Sequence, residues 1–185
     1  MKAARTPSAA WATGFPPVEP PRARVLILGT LPGAESLRQG RYYAHPRNAF
    51  WPIMGELFGA GPARPYAARL RKLAAHGVIL WDVLQAARRP GSLDAAIHPR
   101  HRRANDIPAL LARHPELERI VFNGAAAETL FRRHVARKCG PELARLQLVR
   151  LPSTSPAHAA RTFAQKRAAW RKALAPGQPG PSSVS

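Results

Sequence analysis

"RVLILGTLPG", residues 24–33, joins an uninterrupted apolar run to a turn built on glycine and proline. A run of Val, Leu, Ile and Leu this short reads as a strand buried on both faces. Three further runs of the same kind follow: "GVILWDV" (77–83), "RIVFNG" (119–124) and "LQLVRLP" (146–152). Between them lie helix-patterned segments, "NAFWPIMGELFG" (48–59), "YAARLRKLAAH" (66–76), "IPALLARH" (107–114) and "AAETLFRRHVARK" (126–138), and "TFAQKRAAWRKAL" (162–174) closes the series. Strands alternating with helices predict an α/β fold, a parallel sheet with right-handed crossovers and helices on both faces.

The chain has 185 residues, of which 45% are hydrophobic, enough for one domain with a core of its own. The proline- and alanine-rich segment 1–22 and the tail 176–185 lack apolar periodicity, so both are expected to be flexible, leaving 23–175 as the folded unit. A formal charge of +19, dominated by arginine, attracts polyanions and makes nucleic acid the first partner to consider. The single cysteine, Cys139, excludes an intrachain disulfide and a zinc ribbon and fits a reducing cytoplasm. No apolar run reaches the length of a membrane span, and residues 1–24 lack the apolar core of a secretory signal. The runs "HPRHRRAND" (98–106), "FRRHVARK" (131–138) and "QKRAAWRK" (165–172) read as solvated basic faces, some of them facing phosphate.

Ligands of such sheets sit beyond the carboxyl ends of the strands, so the segments that follow each strand matter most. After the first comes "GTLPGAES" (29–36), whose glycines and Pro32 suit either an ordinary turn or a loop presenting amides to a phosphate or base; it is neither a dinucleotide fingerprint nor a P-loop. "YYAHPRNAFW" (42–51) follows. Phe50 and Trp51 read as core, whereas Tyr43 lies in a polar loop from which a ring can stack on a base. His45 reads as a base or phosphate contact or as a structural hydrogen-bonding group. Asn48 reads as a helix cap or as an amide that holds water or polarises a base carbonyl. Asp82 ends the second strand, as an ion-pair partner or as a contact to a base edge. In "LPSTSPAHA" (151–159), Ser153, Thr154, Ser155 and His158 suit a phosphate clamp, a capped loop or a Ser/His hydrolase, the last without a G-x-S-x-G elbow.

In their order along the chain, "GTLPG" with Ser36, "YYAHPRNAFW" and "LPSTSP" resemble the uracil-DNA glycosylase superfamily, and within it the hypoxanthine-DNA glycosylase branch. The resemblance spans residues 24–174. It implies a three-layer α/β/α sandwich around a four-stranded parallel sheet, DNA carrying deaminated bases as substrate, no metal or organic cofactor, and a monomer working in the cytoplasm at the nucleoid. It assigns catalysis to Asn48, since Leu31 stands where better-known branches carry a water-activating Asp or Asn. It assigns base binding to Gly29, Thr30, Leu31, Pro32, Gly33, Tyr43, His45 and Asp82. DNA binding falls to Ser36, Ser153, Thr154, Ser155, Pro156 and His158, without the leucine that some relatives wedge into the helix. The competing expectations are a mismatch-specific uracil glycosylase and a catalytically silent DNA-binding module of the same fold.

Overall fold

The computed structural model describes residues 11–174. Four strands, β2 (Val25–Gly29), β3 (Val78–Asp82), β6 (Arg119–Asn123) and β7 (Gln147–Leu151), form one parallel sheet in the order β3-β2-β6-β7. Alternate side chains along each strand serve opposite layers. Leu26, Leu28, Ile79, Trp81, Ile120 and Phe122 pack with α4 (Ile107–Arg113) and α5 (Ala125–His134). Ile27, Val78, Leu80 and Val121 pack on the other face with α2 (Phe50–Phe58), α3 (Tyr66–Ala75) and α6 (Phe163–Leu174). The three-layer α/β/α sandwich expected from the strand runs is therefore present, with a fully apolar interior on each side of the sheet.

The first strand lies inside the sheet, with β3 on one side and β6 on the other. β2 connects to β3 on one side and β6 to β7 on the other, so the strand order reverses between the adjacent β2 and β6 and opens a crevice at their carboxyl ends. A short helix, α1 (Ala34–Gln39), leads out of the β2 loop within a stretch that reads as a turn.

A second sheet was not legible in the sequence. β1 (Trp11–Thr13), β4 (Leu84–Arg88) and β5 (Arg102–Ala104) pair antiparallel in the order β1-β4-β5. The basic run 98–106 leaves Arg100 and Arg103 exposed, as expected of a solvated face, and also supplies a strand, with Arg103 lying 5.5 Å from the Trp11 ring centroid. One expectation is corrected. The segment expected to be flexible as far as residue 22 is ordered from Trp11: Trp81 Nε1 donates to Phe15 O at 3.0 Å, Val18 bridges Leu80, and Glu19 pairs with His114 and Arg113. Proline-rich chain lacks a pattern of its own, and here its order comes from contacts remote in sequence. Residues 1–10 and the tail 176–185 lie outside the described residues.

Candidate active site

The parallel strands deliver Gly29, Asp82, Asn123 and Leu151 to one edge of the sheet. A cavity of about 300 Å³ lies beyond them, large enough for a nucleobase. Every residue singled out from the sequence lines it except His158, which borders an adjoining cavity of about 630 Å³ with Arg150 and Arg161. Tyr43 and Asn48 thus share one cavity.

Asp82 forms part of the floor. It is 4% exposed, and its Oδ2 is enclosed without a hydrogen-bond partner among the described residues. Burial, followed by the repulsion of Asp94, pushes its pKa from 3.8 up to about 8, against the opposing pull of Arg89. The group therefore holds a proton at neutral pH and offers one donor and one acceptor. Arg89 is committed elsewhere: buried, it donates to Gly91 O at 3.1 Å, to Leu31 O at 3.3 Å and to Pro32 O, and lies 3.8 Å from Asp94. Gly29 faces Asp82 across the strands, and a Cβ there would collide with Asp82 Oδ1 and stand 3.0 Å from the Tyr43 hydroxyl.

Tyr43 has φ +53°, a left-handed conformation that side chains seldom adopt. The cause lies on both sides of it. Buried Tyr42 is clamped, its N–H donating to Tyr66 Oη at 2.9 Å and its carbonyl accepting from Trp51 Nε1 at 2.9 Å. The chain then reverses, and the Tyr43 ring stacks on Phe50 with centroids 4.0 Å apart and planes at 22°. Its hydroxyl is enclosed without a hydrogen-bond partner among the described residues, and burial with the nearby Asp82 raises its pKa, so it stays protonated.

Asn48 stands one residue before Ala49, the N-cap of α2, and so is not itself the cap. Its Oδ1 accepts from Phe50 N at 3.0 Å in a local turn that leads into the helix, while Nδ2 has no partner among the described residues and the residue lines the cavity. His45 Nδ1 accepts from Arg47 N at 3.1 Å, a local turn bond.

The side chains of Thr154 and Ser36 are spent inside the fold, and those of Leu31 and Thr30 leave only the backbone of their loop for a base. The Thr154 side chain is fully buried, so it is unavailable to phosphate: its Oγ1 accepts from Asn123 Nδ2 at 2.9 Å, and its carbonyl accepts from Ala49 N at 3.0 Å. Ser36 is buried and its Oγ accepts from Ala44 N at 3.2 Å. Leu31 packs its side chain into the core, and Thr30 spends its hydroxyl on Asp94 Oδ1 at 2.6 Å. These residues shape the cavity through the backbone and by holding one another. The N–H groups of Leu31 and Gly33 have no hydrogen-bond partner among the described residues and are the loop's free donors.

Several residues escape sequence reasoning. Asn123 ends β6, and the rule that singles out strand ends points to it in "NGAAAE". Lys166 sits in a basic run read as solvated, yet it is 5% exposed and donates Nζ to Ser155 O at 3.1 Å. Ser92, Leu93 and Asp94 line the cavity from a segment with no periodicity, and nothing local marks them.

The family model of the Uracil DNA glycosylase superfamily matches residues 16–175. The chain belongs to that superfamily. As one of its members the protein is a DNA glycosylase, an enzyme acting on DNA. A hypoxanthine DNA glycosylase of Methanosarcina barkeri is 38% identical over 112 residues, 60% of this chain and 70% of that protein. One from Methanosarcina acetivorans is 38% identical over 115 residues, covering 62% and 72%. The solution NMR structure of a candidate uracil DNA glycosylase from Methanosarcina acetivorans superposes with a TM-score of 0.68 at 32% identity, over 88% of this chain and 98% of that one. That solved structure shares the parallel sheet and its flanking helices with the chain. Among the described residues, no helix is long and apolar enough to cross a membrane.

Proposed function

We propose that this glycosylase excises hypoxanthine from deoxyinosine in DNA and accepts uracil by the same edge. The observation that carries the reading is the buried carboxyl of Asp82, with its partnerless Oδ2, on the floor of a cavity shared by Tyr43 and Asn48. The target nucleotide must leave the stack to reach this floor, at a cost that is least for weakened pairs. Hypoxanthine and uracil each present a carbonyl oxygen beside a ring N–H. The protonated carboxyl can donate to the carbonyl and accept from the N–H, and the free N–H groups of the Gly29–Gly33 loop add donors that suit a carbonyl and repel an amino group. The Tyr43 ring supplies a stacking face.

Cleavage moves the electron pair of the N-glycosidic bond onto the base and leaves positive charge on the sugar; water then adds to the anomeric carbon, and the proton it loses neutralises the departed base anion. Asn48 Nδ2 acts as a fixed donor, holding the departing base or the attacking water, and needs no proton transfer of its own. Ser153, Ser155, Pro156 and His158 contact the DNA backbone at the mouth, with His45 at the base side. The charge of +19 supports a monomer that works at the nucleoid in the cytoplasm.

Duplexes carrying inosine, uracil or xanthine, incubated with the protein, treated with alkali and resolved on gels, test the reading. Strand breaks at inosine are expected. Breaks at uracil alone would make it a mismatch-type uracil glycosylase, and none on any duplex or on the same strands left single would make it a silent DNA-binding module.

A further inference from the structure

Three large apolar side chains are exposed among the described residues, Trp11, Phe163 and Leu93, and Leu93 is the most exposed at 58%. Trp11 lies beneath the guanidinium groups of Arg88 and Arg103, and Phe163 opens α6. Leu93 alone of the three stands at the base cavity, and it also lines the adjoining cationic cavity, so it projects between the two.

The backbone that carries it is held on every side. Arg89 anchors the start of this strap to the carbonyls of Leu31 and Pro32 in the β2 loop. Ser92 Oγ accepts from Ala34 N at 2.8 Å, and Asp94 Oδ1 accepts from Thr30 at 2.6 Å. The Leu93 carbonyl accepts from Ala96 N at 3.0 Å, closing a single 3-10 turn, and Ile97 then returns to the core. Neighbours on both sides of Leu93 are pinned and its own side chain is offered to water. Its place at the mouth of the base cavity, and not its exposure alone, sets this leucine apart.

A base swung out of a duplex leaves a gap that the stack tends to close, and apolar side chains inserted between base steps hold such gaps open. The loop after β7 offers Ser153, Ser155, Pro156 and Ala157 at the same mouth, side chains with less reach than a leucine. We propose that Leu93 is the wedge of this enzyme, entering the duplex from the strap between β4 and β5 and filling the space left by the extruded nucleotide. This rests on the glycosylase reading above. The rigid anchoring of the strap to the loop that lines the base cavity sets wedge and pocket at a fixed separation.

A wedge matters only where a stack must be opened. The test compares wild type, Leu93→Ala and Leu93→Met in single-turnover cleavage of one inosine-containing strand, alone and annealed to its complement. For Leu93→Ala the duplex rate is expected to fall about tenfold or more, and at least about fivefold further than the single-strand rate, with the thermal midpoint of unfolding as the folding control. Leu93→Met keeps an apolar side chain of similar reach and is expected to retain most of the duplex rate. An unchanged duplex rate in Leu93→Ala, an equal loss on both substrates, or a wild type that cuts only single strands would overturn the wedge and leave the glycosylase reading standing. A wild type that cuts neither strand form overturns both.

Discussion

Asn123 grips Thr154 by two hydrogen bonds, its Nδ2 donating to Thr154 Oγ1 at 2.9 Å and its Oδ1 accepting from Thr154 N at 2.8 Å. Both residues are buried, so the end of β6 fixes the loop that follows β7. That loop in turn accepts from Ala49 N, beside Asn48. Replacing Asn123 by Ala strands two buried polar groups of Thr154 and is expected to cost about 2–3 kcal/mol in urea unfolding. Thr154→Val, which leaves only Asn123 Nδ2 unpaired, is expected to cost less. Equal stability of all three proteins would remove this clamp from the account.

Asn48→Ala separates the turn that leads into α2 from the chemistry. Loss of the bond from Phe50 N to Oδ1 is expected to lower stability by about 1 kcal/mol, read by thermal unfolding. Loss of the fixed donor is expected to slow single-turnover base release at least about a hundredfold, with little change in DNA affinity. A variant that releases base at the wild-type rate takes Asn48 out of the mechanism.

Asp82 makes stability depend on pH with a defined sign. Its folded pKa of about 8 lies above the ordinary 3.8, so the folded state holds a proton that the unfolded chain has released. Stability is accordingly full below the ordinary value and is lost as pH rises towards 8, flattening above it. Denaturant midpoints measured from pH 5 to 9 should show this decline in the wild type and a shallower one in Asp82→Asn. Excision by the wild type should weaken above pH 8 as the donor proton leaves. Parallel profiles for the two proteins would count against a buried neutral acid.

Gly29 is required for want of space and not for its dihedral angles. A methyl group there meets Asp82 Oδ1 and stands 3.0 Å from the Tyr43 hydroxyl, so one or both must shift on the floor of the cavity. Gly29→Ala is expected to lower stability by about 1–3 kcal/mol and to reduce excision more than it reduces DNA binding. Selective loss of binding would show that the displaced groups do not touch the base.

The central sheet and its helices were legible because burial on both faces writes an unbroken apolar run, and an amphipathic helix writes a 3.6-residue period. The rule that ligands gather at strand ends then reached Gly29, Asp82 and the 151–159 loop without any view of the fold. β1 and β5, "WAT" and "RRA", are too short to carry a period, and the first became visible only through its pairing with Arg88 in β4. Arg89, Ser92, Leu93 and Asp94 belong to the cavity because hydrogen bonds tie residues 89–94 to residues 30–34, across more than fifty positions of chain. Sequence alone determined the layers, the polarity of the sheet and most of the side chains gathered at its edge. Tertiary structure decided which of them face the cavity and which are spent holding one another, as Thr154, Ser36 and Thr30 are. Local propensity is set by near neighbours, whereas burial, proton affinity and the satisfaction of a hydroxyl depend on whatever the fold places against it.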